Sequence, residues 1–92
     1  MKITYDPAKR AATLRERGID FKEAADVFAG TVVDTLDERF EYGEVRTVTF
    51  GYWHGRIVVV VWTQRGEARH VISMRKANAR EQARFGKRLS EI

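Results

Sequence analysis

The last third of the chain combines side chains that can bind a polyanion with one that can transfer a proton. Residues 65–92 contain eight Lys and Arg against three Asp and Glu, whereas residues 1–64 contain nine against ten. Arg65 and Arg75 carry planar guanidinium groups, which can hold a phosphate through two N–H donors. His70 has an ordinary pKa of about 6.5, which suits a general acid or base. This charge distribution predicts a surface that faces a polyanion.

Side-chain alternation along a strand determines which of these groups can act together. In the predicted strand that runs into Arg75, alternation places one set of side chains on one face: Arg69, Val71, Ser73 and Arg75. Arg65 can reach that face from the preceding turn. His70 falls on the opposite face unless a bulge interrupts the alternation, so a mechanism that uses both His70 and Arg75 conflicts with a regular strand.

Composition excludes several classes of site. The chain has no cysteine, which excludes disulfides, thiolate metal sites and cysteine nucleophiles. With His54 and His70 as its two histidines, we expect neither a metal centre nor a cofactor. The longest apolar run, 57–62, is too short to span a membrane, and residues 1–6 lack the apolar core of a signal peptide. We expect a single domain over residues 1–92, located in the cytoplasm.

Local patterns predict eight elements in the order β-α-α-β-β-β-β-α. Asp6 and Pro7 begin a helix that Gly18 ends, after a short strand at 1–5. Asp20 and Glu23 have the spacing of a capping box for a second helix, which Gly30 ends. Apolar alternation and turn residues predict the remaining elements, which are strands at 31–36, 45–53, 56–63 and 68–74 and a helix at 78–89.

These elements predict an α+β fold, with an antiparallel meander sheet packed by two N-terminal helices and one C-terminal helix. The strand at 56–63 is apolar on both faces, so it should be central. The core-facing residues of the last helix follow helical spacing: Phe85, Leu89 and Ile92. A basic stripe should cover its outer face: Arg80, Arg84 and Lys87 or Arg88.

Three blocks of residues occur in a characteristic order. The first comprises Asp6-Pro7-Ala8-Lys9, Gly18-Ile19, and Phe21-x-Glu23-Ala24-x-x-Val27-Phe28. The second comprises Gly43-Glu44-x-Arg46, Gly51, and Gly55-Arg56 before a valine run. The third comprises Thr63-x-Arg65 and Val71-Ile72-Ser73-x-Arg75-Lys76-Ala77. Together they resemble the BrnT toxins of type II toxin–antitoxin modules over nearly the whole chain.

The resemblance implies a RelE-like fold and a ribonuclease that cleaves RNA and inhibits translation. It also implies a hetero-oligomer with a BrnA-like ribbon-helix-helix antitoxin, which neutralises the toxin and through which the complex contacts operator DNA. RNA is the expected substrate, and no membrane partner is expected.

Metal-independent RNA cleavage needs a base, an acid and cations that stabilise the transition state. The candidate catalytic residues are Arg65, Arg75, His70 and Lys9. The candidate RNA-binding residues are Arg17, Arg69, Ser73, Lys76 and Arg80. Simpler interpretations also exist, because Lys9 can be a solvated helix residue, Arg17 can interact with the helix dipole, and Ser73 can be a strand hydrogen-bonding residue.

Departures from the family pattern favour a second hypothesis. Arg17 stands where the family usually has histidine, Glu16 where it has lysine, and His70 where it has arginine. A catalytically degenerate nucleic-acid-binding or co-repressor module, acting with a DNA-binding partner, is therefore the alternative to an active ribonuclease.

Overall fold

The computed structural model describes residues 1–39 and 41–91, and this part of the chain is α+β. It contains five strands: β1 Lys2–Tyr5, β2 Val32–Leu36, β3 Thr47–Trp53, β4 Arg56–Arg65 and β5 Ala68–Lys76. Its α-helices are α1 Pro7–Arg17, α2 Ala24–Ala29 and α3 Ala79–Ser90, with a 3₁₀ turn at Phe21–Glu23 before α2. None of these helices is both long and apolar enough to cross a bilayer. The predicted α+β class is confirmed.

Capping residues begin the helices largely where the sequence predicts. The Asp6 carboxylate accepts a hydrogen bond from the Ala8 amide at 2.8 Å, and Gly18 ends α1 in a left-handed conformation with φ of 68°. Asp20 caps the 3₁₀ turn and also binds the Arg10 guanidinium at 2.7 and 2.8 Å. This ion pair holds the pKa of Asp20 at about 2. The contact therefore ties α1 to the segment that leads into α2.

The predicted capping box of Asp20 and Glu23 is wrong. The Glu23 carboxylate accepts a hydrogen bond from Trp53 Nε1 at 3.0 Å and lies 3.2 Å from His54 Nε2. Both partners come from the β3–β4 hairpin, whose turn at His54 and Gly55 has φ of 49° and 75°. Glu23 therefore anchors the start of α2 to this turn, in which His54 is exposed.

The sheet is mixed, in the order β1-β5-β4-β3-β2. Strands β2 to β5 pair antiparallel, and β1 pairs parallel to β5. The parallel pairing is an addition to the predicted meander. Since a parallel partner requires a crossover, the chain passes over one face of the sheet through α1 and α2 and returns at the opposite edge as β2.

Two hydrophobic cores lie on the two faces of the sheet. Beneath α2, the core includes Phe21, Phe28, Val58, Val60, Val71 and Met74. Beneath α3, it includes Val33, Phe50, Val59, Phe85 and Leu89. Alternate valines of β4 enter both cores, which confirms its predicted central position. Phe85 and Leu89 are buried as predicted, and Ile92 lies outside the described residues.

A bulge in β5 changes its side-chain alternation. Val61 pairs with Ser73, whereas the next residue of β4, Trp62, pairs with Val71, so Ile72 is the extra residue. As a result Val71 and Met74, three positions apart, both enter the core beneath α2. Their neighbours His70 and Ser73 then face the α3 side.

Gly51 and Gly86 provide a matched test of packing. A Cβ at Gly51 would lie 2.8 Å from Val27 Cγ1 and 3.1 Å from Val32 Cγ1, so we expect Gly51→Ala to lower the unfolding free energy by about 1–3 kcal/mol. At Gly86, in the interior of α3, the nearest atom is Ile57 Cδ1 at 3.4 Å. There alanine gains about 1 kcal/mol of helix propensity. Urea unfolding measures both, and equal stabilities of the two variants would contradict this packing.

Candidate functional site

His70 lies in β5 next to the parallel strand β1. Its Nδ1 atom is 2.9 Å from Thr4 Oγ1, and this hydrogen bond orients the imidazole ring. Burial and the nearby positive charge of Arg65 lower the pKa of His70, and Lys9 adds to the effect, while Glu44 and Asp6 act in the opposite direction. The lowered pKa favours the neutral imidazole at neutral pH, the form in which histidine can accept a proton.

Arg65 and Lys9 supply positive charge around this imidazole. Arg65 is the last residue of β4, and 54% of its side chain is exposed. Its Nη2 atom is 3.7 Å from Glu44 Oε1. Lys9 is exposed on α1. We call Arg65, His70 and Lys9 the His70 cluster; it combines a proton acceptor with two cations.

A second feature of the same sheet face is a cleft of about 440 Å³ between α3, the sheet and the segment after β2, here called the α3 cleft. Apolar side chains of the sheet and of α3 line it: Val48, Phe50, Val59, Val61 and Phe85. Five guanidinium groups also line it: Arg39, Arg75, Arg80, Arg84 and Arg88. The acidic residues of the lining are Asp37, Glu38 and Glu81. The cleft thus has apolar surface beside an excess of positive charge.

Arg75 is ion-paired within this cleft. Its Nη1 and Nη2 atoms donate to the two carboxylate oxygens of Glu81 at 2.7 and 2.9 Å. The pair lowers the pKa of Glu81 and raises that of Arg75. Glu81 also completes a capping box with Asn78 at the start of α3. Arg75 consequently connects the sheet to α3, and Ser73 lies next to it in the cleft lining.

The predicted catalytic residues of the sheet occupy two positions on one face, and Lys9 lies on α1. His70 pairs with Thr63 and Arg75 with Val59, four residues apart in β4. At the rise of a strand this corresponds to about 13 Å. The bulge therefore brings His70 and Arg75 to the same face, but Arg65, His70 and Lys9 form one cluster while Arg75 lies in the α3 cleft with Ser73 and Arg80.

Three predicted RNA-binding residues lie elsewhere. The Arg69 guanidinium is 4.1 Å from the Trp62 ring centroid and 4.6 Å from that of Phe28, on the α2 side of the sheet. The prediction that Arg69 shares a face with Arg75 is wrong because the bulge separates them. Lys76 pairs with Val58, whose side chain is in the α2-side core. Arg17 is exposed and donates to the Met74 carbonyl at 3.2 Å, so it does not enter the cleft.

Sequence reasoning missed several residues that shape these sites. Thr4 orients His70, and Arg39 and Asp37 enter the cleft from the segment after β2. The basic stripe on α3 was predicted with its last residue left open between Lys87 and Arg88, and the structure places Arg88 in the cleft lining. Within residues 1–39 and 41–91, no three His, Asp or Glu side chains are grouped so as to hold a metal ion.

Fold and site together define a small basic α+β protein with a histidine held by Thr4 and an arginine-lined cleft. Over residues 5–81 the chain matches the family described as the ribonuclease toxin, BrnT, of type II toxin-antitoxin systems. The chain therefore belongs to the BrnT family of ribonuclease toxins. A comparison with individually curated proteins gives no match.

The His70 cluster predicts a pH response. In the folded protein we expect the His70 imidazole to titrate below its ordinary pKa of about 6.5. Arg65→Ala should raise this pKa because it removes the nearer repulsive charge. NMR titration of the imidazole protons measures the change. Arg56→Ala, an equal charge loss at the far end of β4, should leave the midpoint unchanged; equal shifts in both variants would exclude a local effect of Arg65.

Proposed function

We propose that this chain is a metal-independent endoribonuclease toxin that cleaves RNA in the cytoplasm and thereby inhibits translation. The observation that carries the proposal is the position of His70, whose imidazole is hydrogen-bonded to Thr4 and lies near Arg65, on the same sheet face as the α3 cleft. Membership of the BrnT family supports a ribonuclease, and these residues supply the chemical groups that phosphodiester cleavage needs.

His70 is the proposed base. In the proposed tautomer Nδ1–H donates to Thr4 Oγ1, and the Nε2 lone pair is then available to accept the proton of a ribose 2′-OH. The 2′-oxygen then attacks the adjacent phosphorus, and the bond to the 5′-oxygen breaks. Lys9 is the proposed donor of the proton that the leaving 5′-oxygen takes up. The products are a 2′,3′-cyclic phosphate and a free 5′-hydroxyl group.

Arg65 and Arg75 are the proposed phosphate-binding cations. Arg65 lies beside His70 and is more than half exposed, so it can approach the phosphorane-like transition state. Arg75, with Ser73 and Arg80, is proposed to bind phosphate of the same RNA strand in the α3 cleft. Arg17, Arg69 and Lys76 remain proposed RNA contacts outside the cleft, where a longer substrate could reach them.

The family also supports an antitoxin partner. We infer that this partner is BrnA-like, with a ribbon-helix-helix segment that supplies the operator-DNA contact of the complex. A RelE-like relationship of the fold is part of the same inference. Neutralisation requires that the antitoxin keep RNA from the basic surface, so at least part of residues 65–88 should be covered in the hetero-oligomer.

One observation favours the alternative, a binding module without catalysis. Arg75 is already engaged by Glu81, and the chain departs from the family pattern at Arg17 and His70. Under this hypothesis purified protein retards RNA in a native gel without cutting it. The same gel, run after incubation, separates shifted RNA from cleaved RNA and so distinguishes the two functions.

Two matched variants test the catalytic assignments. In EDTA at neutral pH we expect the wild-type protein to cleave single-stranded RNA, and His70→Ala to lower kcat by about 10²–10⁴-fold. His54→Ala, which removes the other histidine from an exposed turn, should keep wild-type activity.

Arg75→Ala should lower kcat/KM by about 10²–10³-fold, with Arg56→Ala as its equal-charge control. Circular dichroism of each variant monitors folding.

Full activity of His70→Ala would exclude His70 as the base, and full activity of Arg75→Ala would exclude Arg75 from phosphate binding. Loss of RNA cleavage in EDTA, caused by a requirement for a divalent metal, would contradict metal independence.

Translation inhibition and neutralisation have their own test. Wild-type protein added to a cell-free translation reaction should stop protein synthesis, and His70→Ala should not. Prior addition of a BrnA-like antitoxin should restore synthesis and protect amides within residues 65–88 from hydrogen exchange. Protection confined to α1 and α2 would contradict the inferred binding surface.

A further inference from the structure

Three arginines form a line along α3. Arg80, Arg84 and Arg88 are exposed, follow one another at intervals of four residues, and all line the α3 cleft. Each step is about 6 Å along the helix axis, so the line extends about 12 Å from the first Cα to the last. We call these three residues the arginine ladder.

The ladder is not neutralised by carboxylates. Within residues 1–39 and 41–91, none of its three guanidinium groups lies within ion-pair distance of an Asp or Glu side chain. The other two arginines of the cleft differ, because Arg75 pairs with Glu81 and Arg39 with Asp37. Like charges four residues apart on a helix repel each other. A bound polyanion would remove that repulsion.

Aromatic contacts hold two of the three arginines of the ladder in place. The Arg84 and Arg88 guanidinium carbons lie 5.1 and 5.8 Å from the centroid of the Phe85 ring, which stacks on Phe50 at 3.7 Å. Such cation–π contacts reduce the freedom of a guanidinium while leaving its N–H donors available for hydrogen bonds. Less conformational entropy is then lost when a ligand binds.

We propose that Arg84 and Arg88, together with Arg80, bind the backbone of single-stranded RNA along α3, beyond the phosphate at Arg75. This inference rests on the proposed ribonuclease function and names the path of its substrate. The family match ends at residue 81, so Arg84 and Arg88 lie beyond it. The apolar side chains of the cleft, among them Val59 and Val61, offer a surface for the faces of the bases.

The position of the ladder favours RNA over an acidic helix of a protein partner. Ser73 and Arg75, which belong to the proposed phosphate site, line the same cleft as the ladder. An RNA strand bound at Arg75 would therefore continue along α3. The cleft, with a volume of about 440 Å³, is within the range of sites for small ligands.

A salt titration tests the ladder without depending on catalysis. The probe is a fluorescein-labelled, single-stranded 2′-O-methyl RNA, which lacks the nucleophilic 2′-OH and cannot be cleaved by this mechanism. Fluorescence anisotropy gives its affinity for the full chain between about 50 and 200 mM KCl. For the double variant Arg84→Gln/Arg88→Gln we expect the slope of log K against log salt to become shallower by about 1.4, since each lost phosphate contact on a single strand contributes about 0.7.

The control double variant, Arg56→Gln/Lys87→Gln, removes the same charge outside the cleft and should change the slope by much less. Thermal unfolding verifies that both variants are folded. Equal slopes for the two double variants would overturn the proposal. A second probe, labelled polyglutamate, represents an acidic protein segment. If Arg84→Gln/Arg88→Gln lost binding to polyglutamate alone and not to the RNA, the proposal would also be overturned. If the slopes are as expected but the wild-type protein does not cleave unmodified RNA, the ribonuclease function is rejected and the ladder assignment is supported.

Discussion

The extra residue at Ile72 decides which side chains of β5 act on the same surface. In a regular strand, Val71 and Met74 would face opposite sides, and one of them would leave the core beneath α2. Burial of both requires the bulge, and the same bulge turns His70 toward the face that carries Arg75. A packing requirement on one side of the sheet thereby sets the arrangement of polar groups on the other.

Local signals were sufficient for most of the secondary structure. Asp6, Pro7 and Gly18 bound α1 because caps act within a few residues, and the valines of β4 indicate a strand covered on both faces. The antiparallel pairing of β3, β4 and β5 follows from the two short turns that join them. The same local signals do not determine how distant segments pair, so the parallel contact of β1 with β5 could not be derived from them.

The failures have a common physical origin in contacts between distant segments. Glu23 has capping-box spacing, yet two donors from the β3–β4 hairpin, Trp53 and His54, engage its carboxylate instead. Nothing in the residues around Ile72 marks it as a bulge, because the cause is the core that Val71 and Met74 share. Residue types thus indicated phosphate chemistry, while the division between the His70 cluster and the α3 cleft depended on tertiary packing.

The carboxylate of Glu81 accepts hydrogen bonds from two places, the Arg75 guanidinium and the Asn78 amide at the start of α3. A phosphate that took both Nη atoms of Arg75 would compete with Glu81 for them, and displacement of Glu81 would also weaken the capping box with Asn78. Occupancy of Arg75 and order in the first turn of α3 are then thermodynamically linked, and the linkage is reciprocal. A contact that stabilises this cap would then weaken phosphate binding at Arg75 by the same factor by which bound phosphate weakens that contact. The order of the N-terminal turn of α3 would thus depend on whether a phosphate is bound at Arg75.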